Sequence, residues 1–366
     1  MSEVFYDVVV AGGGPAGAIA ALSLARAGRR VLLLDESSDT RFKIGEALPP
    51  AARQLLQEVG LWDGFVAQGH LPCYGNLSAW GSSELHATDF IFDPNGMGWH
   101  LDRLRFDRLL QQAAAEAGVE IRAAAKLNTK ACEFSSGSWS IPLDESELRS
   151  RWLIDATGRR SAVARAQGVQ RCADDGLIAL FAVFRSSPSG DEDSRTLIES
   201  EPDGWWYTAL LPSRQRVVAY LTDADLAPQT LRSKQGFLAQ LSRTKHVSAC
   251  LRAYDDAVEE VKTVQANSAR LESFVGEGWM AVGDAAVSFD PLSSQGILTA
   301  LFSGLKAAEA LNEKSSFTDY SDRLTTIYNA YLQNRSAFYA QEQRWPTHPF
   351  WRRRHAAEHE SERHEI

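Results

Sequence analysis

Residues 5–36 read FYDVVVAGGGPAGAIAALSLARAGRRVLLLDE, and the fold is decided there. Residues 5–11 form a continuous apolar run, the pattern of a parallel strand buried on both faces. Gly12-Gly13-Gly14-Pro15-Ala16-Gly17 follows at once. The alanine- and leucine-rich stretch from Ala18 to Ala27 then predicts a helix ending at Gly28. Val31 to Leu34 is a second buried strand, closing on Asp35 and Glu36. Together these make a βαβ unit. A pyrophosphate needs backbone N–H groups at a helix N-terminus with no side chain in the way. Gly12 permits the tight turn, Gly14 lets the backbone approach a phosphate, and Gly17 lets helix and strand pack closely. Asp35 stands 18 residues after Gly17, where a carboxylate accepts hydrogen bonds from ribose hydroxyls. The competing reading is a glycine turn in some other α/β protein.

Outward from this unit, Pro49 to Val59 predicts a helix, and Leu104 to Ala117 another that ends at Gly118. Gly69 to His100 is rich in Gly, Trp and His and has little periodicity. Val119 to Ala123 reads as a third parallel strand, and residues 126–153 as short antiparallel strands turning near Ser135–Gly137. Trp152 to Ala156 leads into Asp155-Ala156-Thr157-Gly158. Ile178 to Phe184, Trp205 to Leu211 and Val217 to Leu221 predict an antiparallel sheet, with a surface turn over 186–193. Residues 279–285 predict a strand and Gly296 to Leu311 a long helix. The end, RRRHAAEHESERHEI, predicts a frayed tail with His355, His359 and His364 in solvent.

The chain has 366 residues, room for two domains. The expected division is a discontinuous dinucleotide-binding domain (1–70, 100–170 and 265–312) and a β-sheet substrate domain (71–99 and 171–264). A helical C-terminal region (313–366) follows. A net charge of −9 excludes a general nucleic-acid or anionic-membrane binder. Cys73, Cys132, Cys172 and Cys250 are widely spaced with no CxxC pair, so they read as reduced structural thiols and not as a metal site. No integral membrane segment or leader is legible, which predicts a cytoplasmic protein.

A second motif runs Gly278-Trp279-Met280-Ala281-Val282-Gly283-Asp284-Ala285-Ala286, followed by Asp290-Pro291-Leu292 and Gln295-Gly296-Ile297. With GGGPAG early and DATG midway, it resembles the FAD-dependent aromatic hydroxylases and their relatives, the flavin-dependent halogenases and geranylgeranyl reductases. The resemblance covers essentially the whole chain. It implies an α/β fold with a Rossmann-like FAD-binding domain, an inserted antiparallel sheet and a helical C-terminus. Gly283 and Asp284 would bind the ribityl chain, Pro291 would lie beside the isoalloxazine, and Gln295, Gly296 and Ile297 would open a helix aimed at the pyrimidine ring. A helix N-terminus there stabilises the negative charge of reduced flavin. Asp155 and Gly158 belong to the implied cofactor site. Lys43-Ile44-Gly45-Glu46-Ala47-Leu48-Pro49-Pro50 resembles the segment bordering the flavin in halogenases, which puts Lys43, Glu46 and Ala47 near the cofactor. Arg103 resembles the arginine that contacts it. The bland alternatives are a surface salt bridge for Arg103 and a helix-start role for Glu46.

Within this class, halogenases need a lysine roughly thirty residues after the GEA segment, and Gly75 stands at that place here. Gly204 to Pro212 does not match their WxWxIP segment. Both departures disfavour halogenation. The stretch from Gly69 to Arg103 resembles flavoproteins that act on a tryptophan in precursors of tryptophylquinone-dependent oxidases. The resemblance implies a monooxygenase that uses FAD, O2 and an external reductant, NAD(P)H or reduced flavin, to hydroxylate an indole. Its partner would be a precursor protein or, alternatively, a small aromatic molecule. Such chemistry needs a dry pocket. Trp80, Trp99, Trp205 and Trp206 are the candidate walls, and plain core is the alternative for each. His70, His100 and Glu46 are the candidate acid–base groups, and structural hydrogen bonding is the alternative for both histidines. Two rival functions stay open. One is a reductase or dehydrogenase acting on a lipid-like or small aromatic substrate, and the other a flavin-bearing chaperone.

Overall fold

The computed structural model describes residues 4–36, 42–143, 146–185, 191–254, 258, 260–313 and 315–361. Most of the 186–193 turn falls outside them. Val4–Ala11 pairs in parallel with Val31–Asp35 on one side and with Ser146–Asp155 on the other. Glu120–Ala123 and Trp279–Ala281 extend the sheet, again in parallel. Val8, Val9 and Val10 are buried, so a continuous apolar run serves as the central strand. Ser138–Leu143 and Glu133–Ser135 add an antiparallel margin. Helices Pro15–Arg26 and Gly296–Leu311 run in close contact, for a Cβ on Gly304 would stand 2.3 Å from the Ala16 carbonyl oxygen. This is the Rossmann-like α/β architecture.

A second sheet of seven strands runs Lys262–Gln265, Leu177–Phe184, Arg216–Asp223, Gly204–Leu210, Thr196–Glu201, Gly75–Ala79 and His86–Asp89. It is antiparallel except where Thr196–Glu201 meets Gly75–Ala79. Side chains alternate across it. Trp205, Tyr207 and Ala209 face one core with Ala179, Ala219 and Leu221, whereas Trp206 faces another with Leu180, Tyr220 and Phe237. A small three-stranded sheet of Ala47–Leu48, Gly98–His100 and Leu71–Cys73 holds the chain that carries Glu46. The Leu101 N–H donates to the Glu46 carbonyl at 2.8 Å and fixes that segment.

The tail departs from expectation. Pro349–Ser361 is a helix, with Phe350 and Trp351 fully buried. The Trp351 indole N–H donates to the Glu201 carbonyl at 2.9 Å, and buried Arg354 pairs with Asp223 at 2.8 Å. His355 is half-buried and bonds the Tyr339 carbonyl at 3.2 Å, so it is no solvated surface group. The charged composition concealed a few anchors that fix one helical face. Nothing is described of the His359 side chain, and His364 lies outside the described residues. The four cysteines are free thiols. Among the described residues no helix is long and apolar enough to cross a membrane.

Candidate functional site

Two cavities meet at the glycine turn. One, of about 940 Å³, is lined by Gly12, Gly13, Gly14, Asp35, Glu36, Lys126 and Arg160. The other, of about 370 Å³, lies between the two large sheets. Gly14, Ala156 and Gly158 line both. Gly12 has φ +120° and a Cβ on it would sit 2.1 Å from the Ala156 oxygen, so only glycine fits the turn. A Cβ on Gly17 would lie 2.0 Å from the Gly12 oxygen. A Cβ on Gly14 would meet nothing within 4 Å, because Gly14 faces the open junction. The helix begins there with Pro15 and Ala16, its first N–H groups unused by any side-chain cap. An open junction at a helix N-terminus, between two cavities, fits a dinucleotide with its pyrophosphate at Gly14.

Asp35 closes its strand at the wall of the larger cavity, where Gln111 Nε2 donates to its Oδ2 at 2.9 Å and to the Gly13 oxygen at 2.7 Å. Glu36 is held by Arg160 at 2.6 Å and Lys126 at 3.2 Å, and hydrogen bonding to Arg160 lowers its pKa. Asp155 lines neither cavity. It is buried and accepts from Thr157 N, Thr157 Oγ1, Val163 N and Ala164 N, which ties the DATG turn to the following helix. Its carboxylate builds the turn and does not face the cofactor cleft.

In the smaller cavity Asp284, Pro291, Gln295, Gly296, Ile297, Glu46, Ala47 and Arg103 come together. Gly283 lies just behind them, where a Cβ would meet Ala16 Cβ at 2.8 Å. Arg159 stands 3.5 Å from Asp284 and also holds the Phe289 carbonyl at 2.9 Å. Arg103 donates to the Gly45 carbonyl at 2.9 Å and pairs with Asp107. Lys43 does not reach the wall, and its ammonium rests on Asp107 at 3.2 Å. Helix Gly296–Leu311 opens on the cavity with no side-chain cap, so its N-terminal field points there.

Glu46 is only 1% exposed, and burial raises its pKa. The Tyr207 hydroxyl donates to its Oε1 and the Gly45 N–H to its Oε2 at 3.0 Å. Tyr207 lines the same wall, and burial holds its phenol well above the ordinary range. Asp290 is likewise buried, its pKa raised by desolvation against the pull of Arg335. Sequence reading named Asp290 within the second motif but gave it no role, and it gave none to Tyr207. Strand alternation in GWWYTAL could have found Tyr207, since it shares a face with Trp205 and not with Trp206.

The four tryptophans do not line the cavity. Trp99 packs on Trp62 and Phe65 in the Rossmann-side core. Trp206 points to the far face of the second sheet and donates to Glu201. Trp205 and Trp80 lie behind the wall against Tyr339. The wall itself is built from small residues, Ala179, Ala219 and Ala266, with Leu221 and Val264. The two histidines are also absent from the lining. His70 sits between Phe65 and Phe106 and accepts from the Asp102 N–H at 3.2 Å. His100 donates from Nδ1 to the Leu210 carbonyl at 2.8 Å, which leaves Nε2 to accept from Thr196 Oγ1 at 3.1 Å. Burial lowers both to about 4, so they are neutral structural groups.

The FAD binding domain family model matches residues 5–341. The chain belongs to that family. It is therefore an FAD-dependent oxidoreductase, and FAD is the group the cleft holds. The flavoprotein is 34% identical over 362 residues to the FAD-dependent oxidoreductase LodB of Marinomonas mediterranea, covering 96% of this chain and 97% of the other. It is 26% identical over 332 residues to a 1H-pyrrole-2-carbonyl-[peptidyl-carrier protein] brominase of Pseudoalteromonas luteoviolacea, 86% and 79% covered. Among solved structures, the myxobacterial chondrochloren halogenase CndH superposes with a TM-score of 0.83 at 25% identity, 98% of this chain and 88% of that one. The peptidyl tryptophan dihydroxylase QhpG superposes with a TM-score of 0.79 at 26% identity, 96% and 79% covered.

Proposed function

We propose that this flavoprotein is a monooxygenase that hydroxylates an indole, the tryptophan side chain of a partner protein, during biogenesis of a tryptophylquinone cofactor. The observation that carries the choice is the composition of the smaller cavity. Its wall has no lysine among the described residues, and instead carries the buried Glu46–Tyr207 pair. Gly75, where a halogenase lysine would stand, is packed so tightly that a Cβ would lie 2.5 Å from the Thr88 oxygen. Halogenation is disfavoured on that ground, although halogenases are among the relatives. QhpG supports the tryptophan reading, since its name states action on a peptidyl tryptophan. Tyr74, Leu85, Ile91, Phe92 and Met97 are exposed large apolar side chains on one segment, a composition that suits a protein partner.

In this reading the Gly12–Gly17 turn and helix Pro15–Arg26 hold the pyrophosphate, Asp35 the ribose, and Asp284 with Arg159 the ribityl chain. Bound FAD supplies the electrons that activate O2, fed by NAD(P)H or reduced flavin. Ala179, Ala219 and Ala266 leave room for a planar ring, and their apolar surface offers water no hydrogen-bond partner beside it. Glu46 presents carboxyl lone pairs to an indole N–H, with Tyr207 and the Gly45 N–H fixing its orientation. The two-domain division and a cytoplasmic setting belong to the same proposal.

The test incubates the yellow holoprotein with reductant, O2 and a tryptophan-containing partner precursor, and reads the partner by intact mass. A gain of one or two oxygen atoms on tryptophan is expected. No gain, with steady H2O2 release, overturns the partner assignment in favour of small aromatic or lipid-like substrates.

A further inference from the structure

The tryptophans that do not reach the cavity form an array behind it. The Tyr339 hydroxyl donates to Oδ2 of cavity-lining Asp290 at 2.7 Å and accepts from Trp205 Nε1 at 3.0 Å. The Trp80 ring centre is 5.6 Å from that of Tyr339 and 6.1 Å from that of Trp205. Trp351 lies 5.3 Å beyond Trp80, and Trp345 6.1 Å beyond Trp351. Tyr339, Trp205 and Trp351 are buried, whereas Trp80 and Trp345 are partly exposed. Indole and phenol are the aromatic side chains most easily oxidised by one electron. Here they run in ring-to-ring contact from Tyr339, one hydrogen bond behind cavity-lining Asp290, to the partly exposed Trp345.

We propose that Tyr339, Trp80, Trp351 and Trp345 form a one-electron conduit that drains oxidising equivalents from the cavity to the surface, with Trp205 fixing the Tyr339 hydroxyl. The proposal rests on the reading that bound flavin activates O2. When the oxidant meets no substrate, Tyr339 gives it one electron and passes its phenolic proton to Asp290. An electron from Trp345, relayed through Trp351 and Trp80, refills Tyr339 as Asp290 returns the proton. A soluble thiol refills Trp345 and is itself oxidised by one electron. Two such passes, with two protons from water, bring a peroxide-level oxidant to the water level. The geometry suits this order. The Arg335 and Arg354 guanidiniums stand 5.3 and 5.0 Å from the Tyr339 ring centre, which disfavours a charged phenol radical and favours the neutral one.

Light separates this proposal from the substrate assignment, because blue excitation makes the oxidised flavin the electron acceptor without O2 or substrate. Anaerobic holoprotein is flashed and read by transient absorption and low-temperature electron paramagnetic resonance. The wild type is expected to show a long-lived tryptophan radical. Trp351→Phe should lose it and Trp345→Phe should shorten its life. Trp206→Phe, on the far face of the sheet, should leave it unchanged. Flavin retention and circular dichroism check each fold, and if Trp351→Phe loses flavin, Trp345→Phe at the half-exposed end decides. No long-lived radical in the wild type, or an unchanged one in Trp345→Phe, overturns the conduit.

Discussion

Two alanines placed two residues apart should do opposite things. In Gly14→Ala the new methyl enters open space, and φ at this N-cap is −71°, ordinary for any residue. The free protein should lose only the N-cap preference of glycine over alanine, roughly 0.5 kcal/mol. That open space is where the two cavities join, so the methyl should hold the pyrophosphate away from the helix N–H groups. Losing one charge-assisted contact is worth about 1.5–3 kcal/mol, or roughly 10- to 100-fold in the FAD Kd. In Gly12→Ala the methyl would lie 2.1 Å from a backbone oxygen at φ +120°. Backbone strain and overpacking together put that cost at about 2–6 kcal/mol without any cofactor. Urea unfolding of the two apoproteins reads the stabilities, and quenching of FAD fluorescence reads the affinities. The reasoning fails if Gly14→Ala binds FAD like the wild type, or if its apoprotein is destabilised as much as Gly12→Ala.

Trp206→Ala should lower stability by about 3–5 kcal/mol, as expected for an aromatic removed from a packed core, while the KM for the aromatic substrate stays unchanged; a raised KM at constant fold would return Trp206 to the pocket. His100 should make apoprotein stability fall as the pH drops from 6.5 towards 4, because the unfolded chain takes up a proton that the buried ring refuses. The loss is about 3 kcal/mol when complete, and a His100→Asn variant that keeps the same slope in urea midpoints would show the slope comes from elsewhere. Glu46 acts in the other direction: burial raises its folded pKa, so its contribution is full below about 4.5 and is lost as the pH rises through the raised value. Glu46→Gln should flatten that part of the pH–stability curve, seen as a wild-type-minus-variant difference in midpoint, and a difference that does not vary with pH would contradict a raised carboxyl.

The Rossmann-like half was legible because its signals are local. A strand buried on both faces needs an uninterrupted apolar run, and a phosphate turn needs glycine where Cβ has no room, so Val8–Val10 and Gly12 announce themselves within a few residues. Three strands of the second sheet, Leu177–Phe184, Gly204–Leu210 and Arg216–Asp223, were also locally visible, but the other four and the strand order were not. Thr196–Glu201 pairs in parallel with Gly75–Ala79 across more than a hundred residues of chain, and no periodicity encodes that choice. Asp155 shows the limit of motif reading in another way. A carboxylate in DATG was expected at the cofactor, yet its four hydrogen bonds run to the turn and the next helix.

The tryptophans were misplaced because counting aromatics gives no direction. On a strand, neighbouring residues face opposite sides, so Trp205 and Trp206 could never both line one cavity. Trp205 turns its indole N–H to the Tyr339 hydroxyl behind the wall, and smaller side chains take its place at the cavity. Three adjacent strands instead bring small or slender side chains into register at the cavity: Ala179 stands opposite Leu221 on one side and Val264 on the other, with Ala219 and Ala266 beside them. Alanine in a β-strand is unfavourable by propensity, and its recurrence at inward positions of neighbouring strands was the signal for a cavity. The large aromatics then belong one layer back, where Trp205, Tyr339 and Trp351 pack the space between sheet and C-terminal helices and give the alanine wall something rigid to rest on.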